Sequence, residues 1–411
     1  MEQNLTSAEI HLLQKEEKRN QKNAVLAGFL GWTLDAFDFF ILTFVLATVA
    51  KDFNKSIPEM ALTLTASLLM RPVGAFIFGL MADRYGRKKP LMINIIFFSI
   101  IEILSGLAPT YTAFLVLRLL YGIGMGGEWG VGASLVMESV PVKRRGLLSG
   151  LLQEGYAFGF LLAAAVYYFV FPHFGWRAMF FIGGLPALLT LFIRSKIKET
   201  AAWKATKTLN WKEYGDAVKK NWKLFLYLVL LMSAMNLISH GTQDLYPTFL
   251  QQQRHFSPHK TAAITMVAMV GAIFGGLLFG HLSDLWGRKK MMALAVILAI
   301  FLIPLWLLAN GSFLIALGAF GMQFMVQGAW GIIPAHINEL SPGSLRGFFP
   351  GFAYQIGVLI AAGVVYVEAV LAQYVSYSTS MEILAGSVLV LAAIVILAGP
   401  EAKGINFQQK E

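Results

Sequence analysis

The 411-residue sequence predicts an all-α integral membrane protein of twelve transmembrane helices, arranged as two six-helix bundles related by a parallel internal repeat. Three observations carry this expectation. Hydrophobic residues make up 57% of the chain and charged residues 14%, against roughly 45–50% and about 25% in soluble domains. Apolar runs near the span length of about 20 residues recur along the whole chain with short polar connections. A single offset of 201 residues places the second half on the first. The mean hydropathy of +0.63 leaves no room for a sizeable soluble domain.

Taken in order, the apolar runs fall near 24–50, 60–82, 89–108, 112–138, 146–171 and 176–194. The second set falls near 223–250, 260–283, 291–308, 312–340, 347–371 and 379–399. This divides the chain into an N-tail (1–23), a first bundle (24–194), a linker (195–222), a second bundle (223–400) and a C-tail (401–411). The long polar stretch between the sets, Arg194 to Lys223, carries Lys196, Lys198, Lys204, Lys207, Lys212, Lys219 and Lys220. The first 23 residues are polar, and the first apolar run holds Asp35 and Asp38, unlike a signal peptide. Cys is absent, which excludes disulfides, thiolate metal sites and Cys nucleophiles.

Lys and Arg set the orientation. With the N-terminus inside, the inner loops and tails hold 26 of the 33, and the outer loops hold five: Lys51, Lys55, Arg177, Arg254 and Lys260. Both termini are therefore expected in the cytoplasm, with the protein in the plasma (inner) membrane. The net charge of +10 is topological, so no nucleic-acid partner is expected.

The repeat pairs Gly79, Asp83, Gly86, Arg87, Lys88 and Lys89 with Gly280, Asp284, Gly287, Arg288, Lys289 and Lys290. It pairs Glu138, Pro141, Arg145 and Gly146 with Glu339, Pro342, Arg346 and Gly347. Gly127, Trp129 and Gly130 pair with Gly328, Trp330 and Gly331, and Asp35 with Asn236. Fourteen pairs at one offset mean duplication. Six spans per half keep both copies in the same orientation, an arrangement that places a binding site between the halves near the midplane.

The run Gly79-x3-Asp83-Arg84-x-Gly86-Arg87-Lys88-Lys89 resembles the loop 2–3 motif of the major facilitator superfamily. Its glycines allow a tight turn. Asp83 with Arg87, and Asp284 with Arg288, are expected to form a charge network that opens and closes with the bundles, a conformational latch; plain positive-inside topology is the alternative. Arg118-x3-Gly122-x-Gly124-x-Gly126-Gly127 resembles the superfamily's span 4 motif.

Ionisable groups within spans are costly and usually face a cavity. Here they are Asp35, Asp38, Arg71, Glu102, Arg118, Glu128, Glu154, His240, Asp244 and Glu368. In span 7, Asn236, Ser239, His240, Gln243 and Asp244 stand at i, i+3, i+4, i+7 and i+8, one helical face. His can change charge near neutral pH, and a carboxylate one turn away stabilises its cation. Pro247 is expected to distort the outer end. A buried polar pair fastening two helices is the alternative reading of His240 and Asp244.

The pattern Asn236-x2-Ser239-His240-x-Thr242-Gln243-Asp244-x3-Thr248 resembles the span 7 motif of the Jen family of lactate/pyruvate–proton symporters, within the wider sialate–proton symporter group. The resemblance implies that His240 and Asp244 take part in proton coupling and anion binding. Asp35-x2-Asp38 resembles the span 1 pair of aromatic-acid–proton symporters, which does not account for span 7.

Asp35 and Asp38 share a face and could not both ionise cheaply without a cation. Arg118 lies at a similar level and is expected either to bind a substrate carboxylate or to neutralise them. Glu128 aligns with Ala329, so the repeat does not require it, which suits a functional group. Gln153 and Glu154 align with Tyr354 and Gln355, and both pairs are expected in the cavity; Gln323 and Gln327 stand one turn apart on span 10. Arg71, followed by Pro72, reads as a gate or a second anion contact. Trp176 and Trp222 sit where interfacial anchors belong.

The expected function is proton-coupled symport of small monocarboxylates such as lactate, pyruvate, propionate or acetate. Substrate contacts fall to Arg118, Asn236, His240, Gln243, Tyr354 and Gln355. Proton coupling falls to Asp35, Asp38, Glu128, His240 and Asp244. A sialic or other organic acid is the rival substrate, and an integral-membrane acyltransferase-type enzyme a remote one. The partners are the carboxylate, protons and the lipid bilayer. No catalytic residue, metal or cofactor is expected, and the fold normally works as a monomer.

Overall fold

The computed structural model describes residues 7–185, 187–206 and 211–407. The ends of both tails and residues 207–210 of the expected linker, Lys207 included, lie outside the described residues.

Span 1 is Ser7–Asp52, span 2 Ile57–Tyr85, span 3 Lys88–Gly106 and span 4 Tyr111–Ser139. Span 5 joins Arg145–Gln153 to 155–174. Gly175, at φ 72°, breaks the chain there, and span 6 runs over 176–182 and Ala187–Lys196. Two short helices, Ala201–Thr206 and Trp211–Lys220, occupy the linker. Span 7 is Trp222–Gln243 with Tyr246–Gln252, span 8 Pro258–Trp286, span 9 Arg288–Leu307 and span 10 Ser312–Leu340. Span 11 is Phe349–Ala361 with Val364–Leu371, and span 12 Tyr377–Ala398. Among the described residues, nine helices are long and apolar enough to cross a membrane by themselves. The glycine-rich span 4 and the broken spans 6 and 11 complete the twelve.

The first difference from the sequence reading is at the N-terminus. Residues 7–23, expected as a tail, continue span 1 as one 46-residue helix. Good helix formers fill this stretch, and its polar side chains find partners on the linker: Asn23 donates to the Lys196 carbonyl at 3.0 Å, and Lys198 pairs with Glu16. Span 7 is broken where Pro247 was expected to break it, between Gln243 and Tyr246.

The repeat is also a packing repeat. Span 2 lies along span 4 as span 8 lies along span 10, and span 1 along span 5 as span 7 along span 11. Between the bundles, span 5 packs on spans 8 and 10, and span 11 on spans 2 and 4. Close approach needs glycine. A Cβ on Gly122 or Gly126 would overlap the carbonyl oxygens of Ser67 or Arg71. Gly126→Val is therefore expected to lower the thermal midpoint in detergent by several degrees, since overpacking costs about 1–3 kcal/mol. Gly215→Val, in a linker helix with open space around the glycine, is the control. Equal midpoints for the two variants would refute the close contact.

Trp176 corrects a sequence expectation. It is 4% exposed, ringed by Phe53, Phe114 and Phe180, and its indole N–H donates to Asp52 at 3.2 Å, so it is a core residue and not a lipid anchor. Trp222, by contrast, is exposed.

Candidate functional site

A cavity of about 200 Å³ lies between the bundles. The second bundle contributes the polar stripe of span 7: Asn236, Ser239, His240, Gln243 and Asp244 all line it. His240 Nδ1 and Asp244 Oδ2 are 2.9 Å apart, each side chain more than a third exposed to the cavity. The helical spacing thus does what the pattern implies. Gln243 is oriented from behind: its Nε2 donates to Gln323 Oε1 at 2.8 Å, while Gln323 itself is buried and faces Thr242. Asn236 spends its amide on the Met232 carbonyl at 2.7 Å. Gln327 adds a contact to the Ser239 hydroxyl at 3.4 Å.

The first bundle contributes Arg71, and this changes the reading of the site. The Arg71 side chain is 5% exposed, lines the cavity, and lies with its guanidinium 5.7 Å from the Tyr354 ring centre. Its Nε and Nη2 have no hydrogen-bond partner. Pro72, next along, cannot donate to the Leu68 carbonyl one turn back, and Leu68 is also on the wall.

Arg118 does not line the cavity. It is 1% exposed and packed among the rings of Phe114, Tyr121 and Phe180, and it donates from Nη2 to Glu102 at 2.6 Å and to the Ser105 hydroxyl at 2.5 Å. Its direct partner is thus Glu102 on span 3, and neither Asp35 nor Asp38. The reason is rotational. The side chain leaves span 4 on the side facing spans 3 and 6, whereas Arg71 leaves span 2 toward the bundle interface.

Asp35, Asp38 and Glu128 are fully buried inside the first bundle, outside the cavity, and their carboxylate oxygens have no hydrogen-bond partner. Glu128 packs between spans 1 and 4, against Gly31 and Gly132. Asp38 and Glu102 both approach Gly183 on span 6. Glu368 is likewise buried and unpartnered, in the second bundle.

Of the two aligned pairs, one member of each reaches the cavity. Gln153 lines it and accepts from Trp129 Nε1 at 3.3 Å, and Tyr354 lines it while packing on Trp129 with ring centres 4.4 Å apart. Glu154 and Gln355 do not. Glu154 is buried against Gly276 of span 8, and Gln355 is fully buried, its Nε2 3.5 Å from the Gly126 carbonyl. Consecutive helical residues point about 100° apart, so a pair cannot share one wall. The aromatic wall of Trp32, Phe39, Tyr156 and Trp330 was missed in the sequence reading, because apolar residues on an apolar helix carry no signal of a cavity.

One end of the interface is closed. Asp83 accepts from its own Arg87 at 2.8 Å and, across the interface, from the backbone N–H groups of Gly347 and Phe348 at 2.6 and 3.1 Å. Asp284 does the same in reverse, accepting from Arg288 at 2.7 Å and from the N–H groups of Gly146 and Leu147 at 2.8 and 3.0 Å. Each aspartate thus sits at the N-terminal end of a helix of the other bundle, where partial positive charge collects. Behind them, Glu138 receives Arg87 at 2.7 Å, and Glu339 receives Arg288 and Arg145 at 2.9 and 2.8 Å. Further hydrogen bonds between the bundles lie at this end, as from Arg145 to Glu339 and from Ser134 to Asn338, or near the cavity, as from Gln355 to the Gly126 carbonyl.

Two repeated six-helix bundles, a polar and aromatic cavity between them and crossed aspartates closing one end define a two-bundle membrane transporter. The chain belongs to the Major Facilitator Superfamily, whose family model matches residues 28–257 and 245–411. A relative described as a carboxylic acid transporter protein homolog, from Saccharomyces cerevisiae, is 31% identical over 92% of this chain and 68% of its own length. The sialic acid transporter NanX of Escherichia coli is 29% identical over 95% of this chain and 96% of its own. Among solved structures, the proton:xylose symporter XylE bound to 6-bromo-6-deoxy-D-glucose matches with a TM-score of 0.79 over 95% of this chain and 98% of that one. At 19% identity it shows the fold alone. The relatives and the fold are those of transporters, so the enzyme reading of His240 and Asp244 falls.

Proposed function

We propose that the protein carries a small monocarboxylate together with a proton by alternating access. One observation carries the reading: a guanidinium with two unpartnered nitrogens, Arg71, lines the same cavity as the His240–Asp244 pair of the opposite bundle. Arg presents a planar fork matched to a carboxylate. In this reading the hydrogen-bonded His240–Asp244 pair is the second bundle's proton-coupling site. Relatives described as carboxylic acid and sialic acid transporters support an organic acid as cargo. The volume of about 200 Å³ is below the roughly 300–1,000 Å³ of pockets for drug-sized ligands, which favours a small acid over a sialic acid.

In this reading Arg71 takes the place first given to Arg118, and Arg118 with Glu102 braces the first bundle. Asn236, Gln243 and Tyr354 shape the pocket. Gln355 closes the interface behind it. Asp35, Asp38 and Glu128 are the first bundle's proton sites: an anion buried without donors is costly, and a proton relieves that cost. The end carrying most of the Lys and Arg faces the cytoplasm in the plasma (inner) membrane, and the working unit is the monomer.

The test is uptake of labelled L-lactate into proteoliposomes under an inward proton gradient, for the wild type and His240→Ala. Accumulation that a protonophore abolishes and the variant loses is the expected result. No lactate uptake by folded protein, with uptake of sialate instead, would overturn the small-acid reading. Lactate accumulation by His240→Ala at the wild-type level would move the proton site into the first bundle.

A further inference from the structure

A second concavity lies away from the central cavity, on the flank of the first bundle, where span 1 runs beside the start of span 5. It is a groove of about 850 Å³. We infer that it binds one anionic phospholipid, with the headgroup at Lys18, Lys22 and Arg144 and an acyl chain along the apolar floor.

The two walls have the same polarity. Along span 1, Lys18 and Lys22 are followed on the same helical face by Leu26 and Phe29, at steps of four, four and three residues. Along the other wall, Arg144 is followed by Leu147, Leu148 and Leu151. Both stripes pass from cation to hydrocarbon in the same direction, over about 16 Å on one side and about 10 Å on the other. A soluble anion would need only the cations, and a lipid tail only the leucines. An amphiphile lying parallel to the helices meets both.

The charge balance fits a phosphate diester. Lys18, Lys22 and Arg144 are all exposed and make no ion pair among the described residues. This sets them apart from the neighbouring Arg145, which is spent on Glu339. The single carboxylate on the lining, Glu17, already accepts from Gln21 at 3.3 Å. The cations lie at the end of the molecule that bears the crossed aspartates, and Leu26, 40% exposed, begins the apolar floor that leads into the bilayer. Basic pockets beside membrane helices, at headgroup depth, are the general form of such sites.

The test uses the full chain, purified in neutral detergent and titrated with dioleoylphosphatidylglycerol or dioleoylphosphatidylcholine, with bound lipid counted by native mass spectrometry. One saturable phosphatidylglycerol is expected, bound on the order of a hundredfold more tightly than phosphatidylcholine, as three cations near a lipid phosphate should give. Lys18→Gln/Lys22→Gln/Arg144→Gln should bring the two lipids level. Leu148→Trp, which fills the floor and spares the charges, should weaken both lipids alike. Equal binding of the two lipids by the wild type, or retained preference in the triple variant, would overturn the inference. So would binding of inorganic phosphate at the same site with no loss in Leu148→Trp, which would assign a soluble anion. A second protein chain on the groove would appear as a dimer that phosphatidylglycerol does not displace, and this too would overturn it.

Discussion

Arg71→Gln is expected to raise the KM for carboxylate uptake about ten- to a hundredfold, leaving a folded protein. A hydrogen bond to a charged group is worth about 1.5–3 kcal/mol, and each 1.4 kcal/mol is tenfold in affinity. Nε and Nη2 have no partner to lose, and the side chain that the guanidinium does hydrogen-bond, Tyr354, is a neutral phenol. The cost therefore falls more on substrate binding than on folding. Arg71→Lys keeps the charge and loses the fork, so it should lie between the two. Arg118→Gln makes the contrast. It leaves Glu102 as a buried carboxylate without its cation, and breaking such a pair costs about 3–5 kcal/mol of stability. Its expected signature is lower thermal stability and yield. If Arg118→Gln raised KM in a stable protein while Arg71→Gln transported with unchanged KM, the site would have been built on the wrong guanidinium.

Asp83→Asn/Asp284→Asn is expected to open the end of the molecule that these residues close. Each aspartate accepts two backbone N–H groups from the other bundle. An amide replaces one acceptor with a donor and removes the charge that the helix ends favour, at about 2–3 kcal/mol per site. That moves the equilibrium on the order of a hundredfold per residue, enough to exchange major and minor states. The chain has no Cys, so spin labels go cleanly on Tyr85→Cys and Leu285→Cys, both exposed at this end. The label-to-label distance distribution should gain a longer population in the double variant and a smaller one in each single variant. Identical distributions would mean that the aspartates brace the loops without holding the bundles together.

Most of the architecture was legible in the sequence because a bilayer imposes it. The twelve crossings follow from hydropathy, and the pairing of span 2 with 4 and span 8 with 10 repeats as the offset of 201 implies. Span 7 was legible for a different reason. Five polar residues on an apolar helix define a face by themselves, and Asn236, Ser239, His240, Gln243 and Asp244 all reach the cavity. A lone charge carries no such information. Arg71 and Arg118 are each a single cation in an apolar run, and nothing along the chain tells which one turns toward the bundle interface. Glu154 and Gln355 failed for the related reason that adjacency in sequence separates side chains on a helix. The continuation of span 1 back to Ser7 was hidden because its partners, Lys196 and Lys198, lie more than 170 residues away.

The crossed aspartates also bear on how the two halves have aged since duplication. Each copy of the loop motif is fitted to the backbone of the other copy, so a change in one half is felt as a lost contact in its sibling. Drift at Asp83 is policed by residues 347 and 348, and drift at Asp284 by residues 146 and 147. The cavity walls are under no such reciprocal bond. There Phe39 stands in the register of His240, and Gln153 in that of Tyr354. The closed end of the molecule has kept its ancestry, while the two halves of the binding chamber have been free to specialise.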